Sequence, residues 1–323
     1  MKGYSVRRST VDDIESICAL ENSYDGDRAL WSLPIIRWGL FDSPFGPADS
    51  WVVEYREGGA EAKIVGHHAI LGFKAFHGDR EIRIGKTVKS ILDKEHRKRF
   101  HYLRFEKNCL EEIKNKYDMI FSTQPGALKM RRVIGYSDGY FLRIYRKRFN
   151  LFDIIYNIYF NKERRDAKFI EVKDIDKLYN ILKSLGISYV NKLSVYKSIE
   201  FLKWRFDKVL RKKFRYFYFE LNDYKVLFYC EITRQACIIL DIEKNFSDPD
   251  ALECAISYLM RRMIFMGIGR IKFRSCSMDC AEDVAFYDSY FRAKREFPLA
   301  VFMGEGSKAG QIGFDASFLL DAF

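Results

Sequence analysis

Apolar and polar positions change their period several times along the chain, and each change marks a predicted element. Tyr4 to Arg8 reads as a short strand. Thr10 with Asp13 three residues on predicts a helix start, and Ile14, Ile17, Cys18 and Leu20 keep a near-helical apolar spacing to about Tyr24. A loop rich in glycine, proline and aromatic residues runs on to Ser50. Strands are predicted at Trp51 to Tyr55 and Lys63 to Phe73, joined by the Gly58-Gly59 turn, and a third at Arg80 to Leu92. From Lys98 to Lys116 the period is helical again, with Leu103, Leu110 and Ile113 as the stripe, before a short buried strand at Met119 to Ser122. A strand, a helical crossover and a strand in this order predict a parallel, right-handed unit.

A further strand is predicted from Tyr140 to Phe149, followed by an aromatic segment and a charged turn, Asn161 to Asp166. A chain of 323 residues exceeds what one core usually serves, so we expect two units, residues 1–150 and 151–323. Beyond the boundary the plan restarts, with a strand at Phe169 to Val172, a helix from Asp174 to Leu185, and strands at Phe214 to Leu221, Lys225 to Ile232 and Ala236 to Ile242. Asp248-Pro249 opens a helix that Gly267 closes, and Arg270 to Arg274 is the last strand of the pattern. The sequence Ile91-Leu92-Asp93, helix, Met119-Ile120-Phe121 is echoed by Ile239-Leu240-Asp241, helix, Ile271-Lys272-Phe273. The expected fold class is therefore mixed α/β (α+β), in two tandem copies.

Composition narrows the functional classes. With 48% hydrophobic and 31% charged residues and six prolines, the chain is globular rather than disordered. It has no apolar run near the ~20 residues of a membrane span and no apolar core of a signal peptide, so a cytoplasmic protein is expected. The seven cysteines are scattered, and only Cys276 and Cys280 are close. No second pair or nearby histidine completes a tetrahedral site, so no metal is expected. The net charge of +11 favours an anionic partner, with nucleotides, coenzyme A, anionic saccharides, nucleic acid and membrane surfaces all in range.

Ile64-Val65-Gly66-His67, the strand ending at Asp93, the basic run Glu95 to Arg99 and Ile134-Gly135-Tyr136 together resemble the GCN5-related N-acetyltransferase family over about residues 3 to 150. The second half, with Phe201-Leu202-Lys203-Trp204-Arg205-Phe206, looks like the companion domain of its tandem members. The resemblance implies an acyl-coenzyme A, acetyl-CoA above all, whose pyrophosphate lies on a loop after the fourth strand. Here that loop runs from Leu92 and Asp93 through Arg97, Lys98, Arg99, Phe100, His101 and Tyr102. Two glycines of the family's loop fall on Phe100 and Tyr102, whose bulk is expected to crowd the phosphates, while three consecutive cations add attraction. Gln124 stands where a side-chain amide would hold the cofactor arm. Acyl transfer needs a base for the amine and an acid for the thiolate. Candidates for the base are Glu54, His67 and His68, and for the acid Tyr136 and Tyr140. Trp204 and Arg205 offer a stacking face and a planar fork to an acceptor. The implied function is N-acylation of an amino sugar or another small amine. A binding or scaffold protein that has lost the cofactor, and a transferase using aminoacyl-tRNA, remain as alternatives.

Overall fold

The computed structural model describes residues 3–25, 31–77, 80–98, 100–123, 128–150, 166–187, 193–206, 214–276 and 291–303, together with residues 152, 155 and 287. The first half contributes β1 (Tyr4–Arg8), α1 (Ile14–Asp25), α2 (Leu33–Leu40), β2 (Asp49–Tyr55), β3 (Lys63–His77), β4 (Arg80–Leu92), α3 (Tyr102–Ile113), β5 (Met119–Ser122), α4 (Leu128–Val133) and β6 (Ser137–Arg148). The second contributes β7 (Lys168–Val172), α5 (Ile175–Ser184), β8 (Leu193–Val195), α6 (Ile199–Arg205), β9 (Phe214–Leu221), β10 (Tyr224–Ile232), β11 (Cys237–Lys244), α7 (Pro249–Phe265), β12 (Arg270–Cys276) and β13 (Arg292–Met303).

The predicted start signals are realised. Ahead of α1 the Thr10 amide donates to the Asp13 carboxylate at 2.8 Å, and the Asp13 amide to the Thr10 carbonyl at 3.2 Å. Asp248 accepts from the amides of Asp250 and Ala251 at the start of α7, with Pro249 in the first turn. Replacing Asp248 with Ala should cost about 1 kcal/mol in a thermal unfolding measurement, and an unchanged midpoint would contradict the cap. Helix α2 lies in what reads from sequence as loop, since eight residues carry too few turns for a clear period. Ser32 precedes it and Pro34 stands in its first turn.

Twelve strands run edge to edge in the order β1-β2-β3-β4-β5-β13-β6-β12-β11-β10-β9-β7, while β8 pairs with the far end of β3. The order is a palindrome of equivalent strands about the β13–β6 pair. In each half the central pair alone is parallel, β4 with β5 and β11 with β12. The last strand of each half crosses to the other: β13 pairs with β5, and β6 pairs with β12.

Matching bulges set the equivalence between halves. Val88 is extra on β4 opposite Ala69/Ile70, and Leu240 is extra on β11 opposite Tyr229/Cys230. Parallel pairing stops one residue earlier in both, at Thr87↔Ser122 and Ile239↔Phe273. Thr87 thus matches Ile239, and Ile91-Leu92-Asp93 matches Glu243-Lys244-Asn245. The repeat is real, but the Ile-Leu-Asp echo read from the sequence is out of register.

Two apolar clusters fill one face of the sheet, one beneath α3 around Phe105, Leu110 and Ile120, the other beneath α7 around Phe228, Ile256 and Phe273. The opposite face has one core shared by α1, α2, α5 and α6. Within it Trp38 of α2 and Trp204 of α6 stack at 4.8 Å and 18°. Each indole N–H donates to the other's carbonyl, at 2.7 Å from Trp38 and 3.0 Å from Trp204. Ile35-Ile36-Arg37-Trp38-Gly39-Leu40 is thereby the counterpart of Phe201-Leu202-Lys203-Trp204-Arg205-Phe206, with Ser32 and Ser198 before the two helices. Among the described residues no helix is long and apolar enough to cross a membrane.

Candidate functional site

Strand β5 ends at Ser122 while β4 continues to Leu92, so the two parallel strands part and leave a cleft that the start of α3 overlooks. Asp93 accepts from the Glu95 amide at 2.9 Å, and Arg97 donates through Nε to the Leu92 carbonyl at 3.2 Å, which together shape the connecting loop. No side chain caps α3, whose preceding residue is His101. Its first turn faces a groove of about 550 Å³ lined by Arg97, Phe100, His101, Tyr102, Leu103 and Arg104. Uncapped first-turn amides carry partial positive charge, and Arg97 and Arg104 add whole charges. The matching helix of the second half differs: the Asp248 carboxylate takes the first-turn amides of α7, and Asp250 adds a second negative charge there. Of the two crossover helices, α3 is the one with no side-chain cap and no acidic residue in its first turn.

Phe100 lines this groove but turns most of its ring away from it. It is 4% exposed and packs against Tyr4 and Phe105 in the core beneath α3. Phe100→Gly should therefore destabilise the protein by about 3–5 kcal/mol in urea titration, and a cost below about 1 kcal/mol would show that the ring does not pack. Tyr102 likewise turns its hydroxyl inward, and burial raises its pKa. Lys98 is exposed, and Arg99 and Gln124 lie outside the described residues, as does Cys280. Asp93, Glu95 and His96 bring ligand atoms within 4.8 Å of one another, but His96 Nδ1 is hydrogen-bonded to the Tyr4 hydroxyl at 2.9 Å.

The cleft holds a buried polar network that the sequence reading missed. Arg131 of α4 is fully buried and spans the parting strands, donating to Ser90 of β4 at 2.9 Å and to Ser122 of β5. Its Nε donates to Glu106 of α3 at 2.8 Å. Ser90 is also bonded to His68 Nδ1 at 2.9 Å, and the Tyr136 hydroxyl stands 3.5 Å from Thr87 Oγ1. Burial raises the Tyr136 pKa, so the phenol keeps its proton. A signal for this network existed: Glu106 sits in the apolar stripe of α3 between Leu103 and Leu110, where a charge needs a buried partner. Burial pushes His68 down to about 4, from an ordinary 6.5. The unfolded chain therefore takes the proton first, so stability is full above pH 6.5 and falls toward pH 4, and His68→Gln should flatten that slope in pH-dependent unfolding.

His67 lies on the other face of the sheet. It is fully buried, with Nε2 2.9 Å from Ser50 Oγ and Nδ1 3.3 Å from Glu21 of α1. Lys89, just after the bulge, reaches Glu21 at 3.0 Å and covers the Trp31 ring at 3.2 Å. Burial opposes ionisation of Glu21, yet the His67 hydrogen bond and the Lys89 charge outweigh it and hold the carboxyl below its ordinary range. Glu54 is elsewhere: it accepts from Ser5 and, at 2.8 Å, from Arg7 at the outer edge of the sheet. The structure thus separates Glu54, His67 and Tyr136. The side chain of Tyr140 lies outside the described ones. Trp204 and Arg205 are 7% and 1% exposed in the shared core, so the expected stacking face is covered by Trp38 and neither residue opens to an acceptor. In the second half, Lys197 and Asp241 occupy the positions of Trp31 and Lys89 and pair at 2.9 Å, with Glu243 also on Lys197.

No protein-family model matches the sequence, and no curated protein does. Solved structures do match. A protein of Enterococcus faecalis V583 described as a probable N-acyltransferase aligns with 94% of this chain and 73% of its own, at 9% identity and a TM-score of 0.69. The N-myristoyltransferase of Saccharomyces cerevisiae, solved with myristoyl-CoA and inhibitors, aligns with 94% of this chain and 80% of its own, at 13% identity and TM-score 0.57. A tandem protein of this superfamily from the clavulanic acid biosynthesis pathway aligns with 94% of this chain and 100% of its own, at 11% identity and TM-score 0.55. Likeness at such low identity speaks for architecture, and on it the chain has the tandem fold of the GCN5-related N-acetyltransferase superfamily.

Proposed function

We propose that the chain is an acyl-coenzyme A-dependent N-acyltransferase whose cofactor binds to the first half, residues 1–150, with the second half, 151–323, shaping the acceptor side. The observation that carries this reading is the contrast between the crossover helices: α3 is uncapped and faces a cationic groove, whereas Asp248 closes the start of α7. The cofactor supplies an activated thioester. An amine attacks its carbonyl carbon, the C–N bond forms, the C–S bond breaks, and the thiolate takes a proton. Tyr136 keeps its proton and stands beside Thr87 of β4, which suits its hydroxyl to hydrogen-bond the developing thiolate rather than to give the proton up. The acceptor class, an amino sugar or another small amine, rests on the family resemblance. Placement in the cytoplasm fits the thiols of Cys18, Cys109, Cys230, Cys237 and Cys254, none of which is in a disulfide.

The Arg131 bridge supports a second reading, a binding or scaffold protein, because the guanidinium stands between the strands where a pantetheine arm would enter. Calorimetric titration with acetyl-CoA separates the two. The enzyme reading expects saturable binding that Arg97→Ala weakens by about tenfold to a hundredfold, from a lost hydrogen bond to a charged group. No heat at millimolar acetyl-CoA would favour the scaffold.

A further inference from the structure

Four cations share one patch of the central sheet, outside the cleft and its groove. Arg146 of β6 lies directly opposite Lys272 of β12, and Arg148 opposite Arg270. Directly opposed residues, and residues two apart on one strand, point to the same face, so all four side chains share it. Their neighbours Tyr145, Ile271 and Phe273 are buried on the opposite side, beneath α7. Their attachment points on the backbone are about 5 Å apart across the strands and about 7 Å apart along them. On β13, the backbone of Arg292 is in register with Arg146. Like charges placed directly opposite one another destabilise a sheet.

Among the described residues none of the four has a carboxylate partner. Arg148 is exposed, the other three are half-buried, and Arg146 Nε is buried without a hydrogen bond. Burial, and then the charges of Arg270 and Arg148, push the Arg146 guanidinium below its ordinary value.

The internal repeat makes the patch conspicuous. The same four positions in the first half are Val301, Phe121, Met303 and Met119, matched through the pairs Val301↔Phe121 and Met303↔Met119. Phe121 and Val301 are 0% and 1% exposed, in the shared core. One copy of the fold therefore fills these positions with apolar packing, while the other sets four unneutralised cations there. A requirement of the fold alone does not explain that difference, whereas an anionic ligand does.

We infer that the face formed by Arg146, Arg148, Arg270 and Lys272 is a binding site for the diphosphate group of a small molecule. On β11 the patch is bounded by Ile238, which pairs with Lys272. Its size suits one or two adjacent phosphates rather than an extended nucleic-acid backbone, which needs a longer cationic track.

The test is calorimetric titration of the full chain with inorganic pyrophosphate. It is made in an Arg97→Ala background, so that the α3 groove does not contribute and its failure is separate from failure of the acyl-CoA reading. Binding should persist there and weaken about tenfold or more when Arg146→Gln and Lys272→Gln are added. The ligand-free melting temperature should not fall, because a like-charge repulsion has been removed. If that variant does not fold, exposed Arg148→Gln should weaken binding in the same direction. The inference is overturned if pyrophosphate binds the variants as tightly as the parent. It is also overturned if pyrophosphate does not bind, and a structured RNA that binds through these residues would then make the face a nucleic-acid surface.

Discussion

Ending the chain at residue 291 should abolish cooperative folding of the entire protein, not only of its second half. That cut removes β13, which pairs with β5 on one side and β6 on the other. It would open two sheet edges at the centre of the molecule and uncover Val301, 1% exposed in the shared core. Phe302, which packs on Tyr136 of the first half, goes with it. The loss should be on the order of the ~5–15 kcal/mol that holds a whole domain. Residues 1–150 expressed alone should fail for the same reason, because β5 loses β13 and β6 loses β12. Urea unfolding followed by circular dichroism checks both. A cooperative transition in either fragment would show that the exchanged strands are dispensable.

Glu106→Ala should be the most damaging single substitution in the cleft, at about 3–5 kcal/mol, because it leaves the Arg131 charge buried without its carboxylate. Arg131 is fully buried, and its guanidinium ties α3, β4 and β5 together through Glu106, Ser90 and Ser122. Adding Arg131→Met to Glu106→Ala should recover much of the loss, since an apolar side chain of similar length removes the buried charge. Chemical denaturation of the two single variants and the double variant forms the cycle. A cost below about 1 kcal/mol for Glu106→Ala would mean that water reaches the guanidinium and the cleft is open.

Most strands and the start signals were legible because they are local. Thr10 with Asp13, and Asp248 with Pro249, name their helix starts within a few residues. The repeated parallel crossover was legible for the same reason. The strand exchange was not, because β13 reaches β5 across most of the chain and its own sequence, interrupted by Pro298, gives no sign of which edge it joins. The tryptophan repeat was half legible. Trp204 stands out in the sequence, but its partner Trp38 sits in a helix too short for a clear period, so a contact between the two halves reads as an acceptor site.

The site residues divide along the same line. Arg97 was placed by its position after the fourth strand, and it does line the α3 groove. Glu54 and His67 sit on β2 and β3, but which face each residue takes depends on the register and bulges of those strands, which the sequence does not fix. Glu106 and Arg131 meet only because α4 folds back over the parting of β4 and β5.

The most direct test of the account is a crystal structure of the full chain grown with coenzyme A. The account predicts one molecule per chain, with its pyrophosphate against the first-turn amides of α3 beside Arg97 and with the Arg131 side chain displaced from between Ser90 and Ser122. Coenzyme A seated at the start of α7, or a cleft in which Arg131 stays in place under saturating ligand, would contradict it.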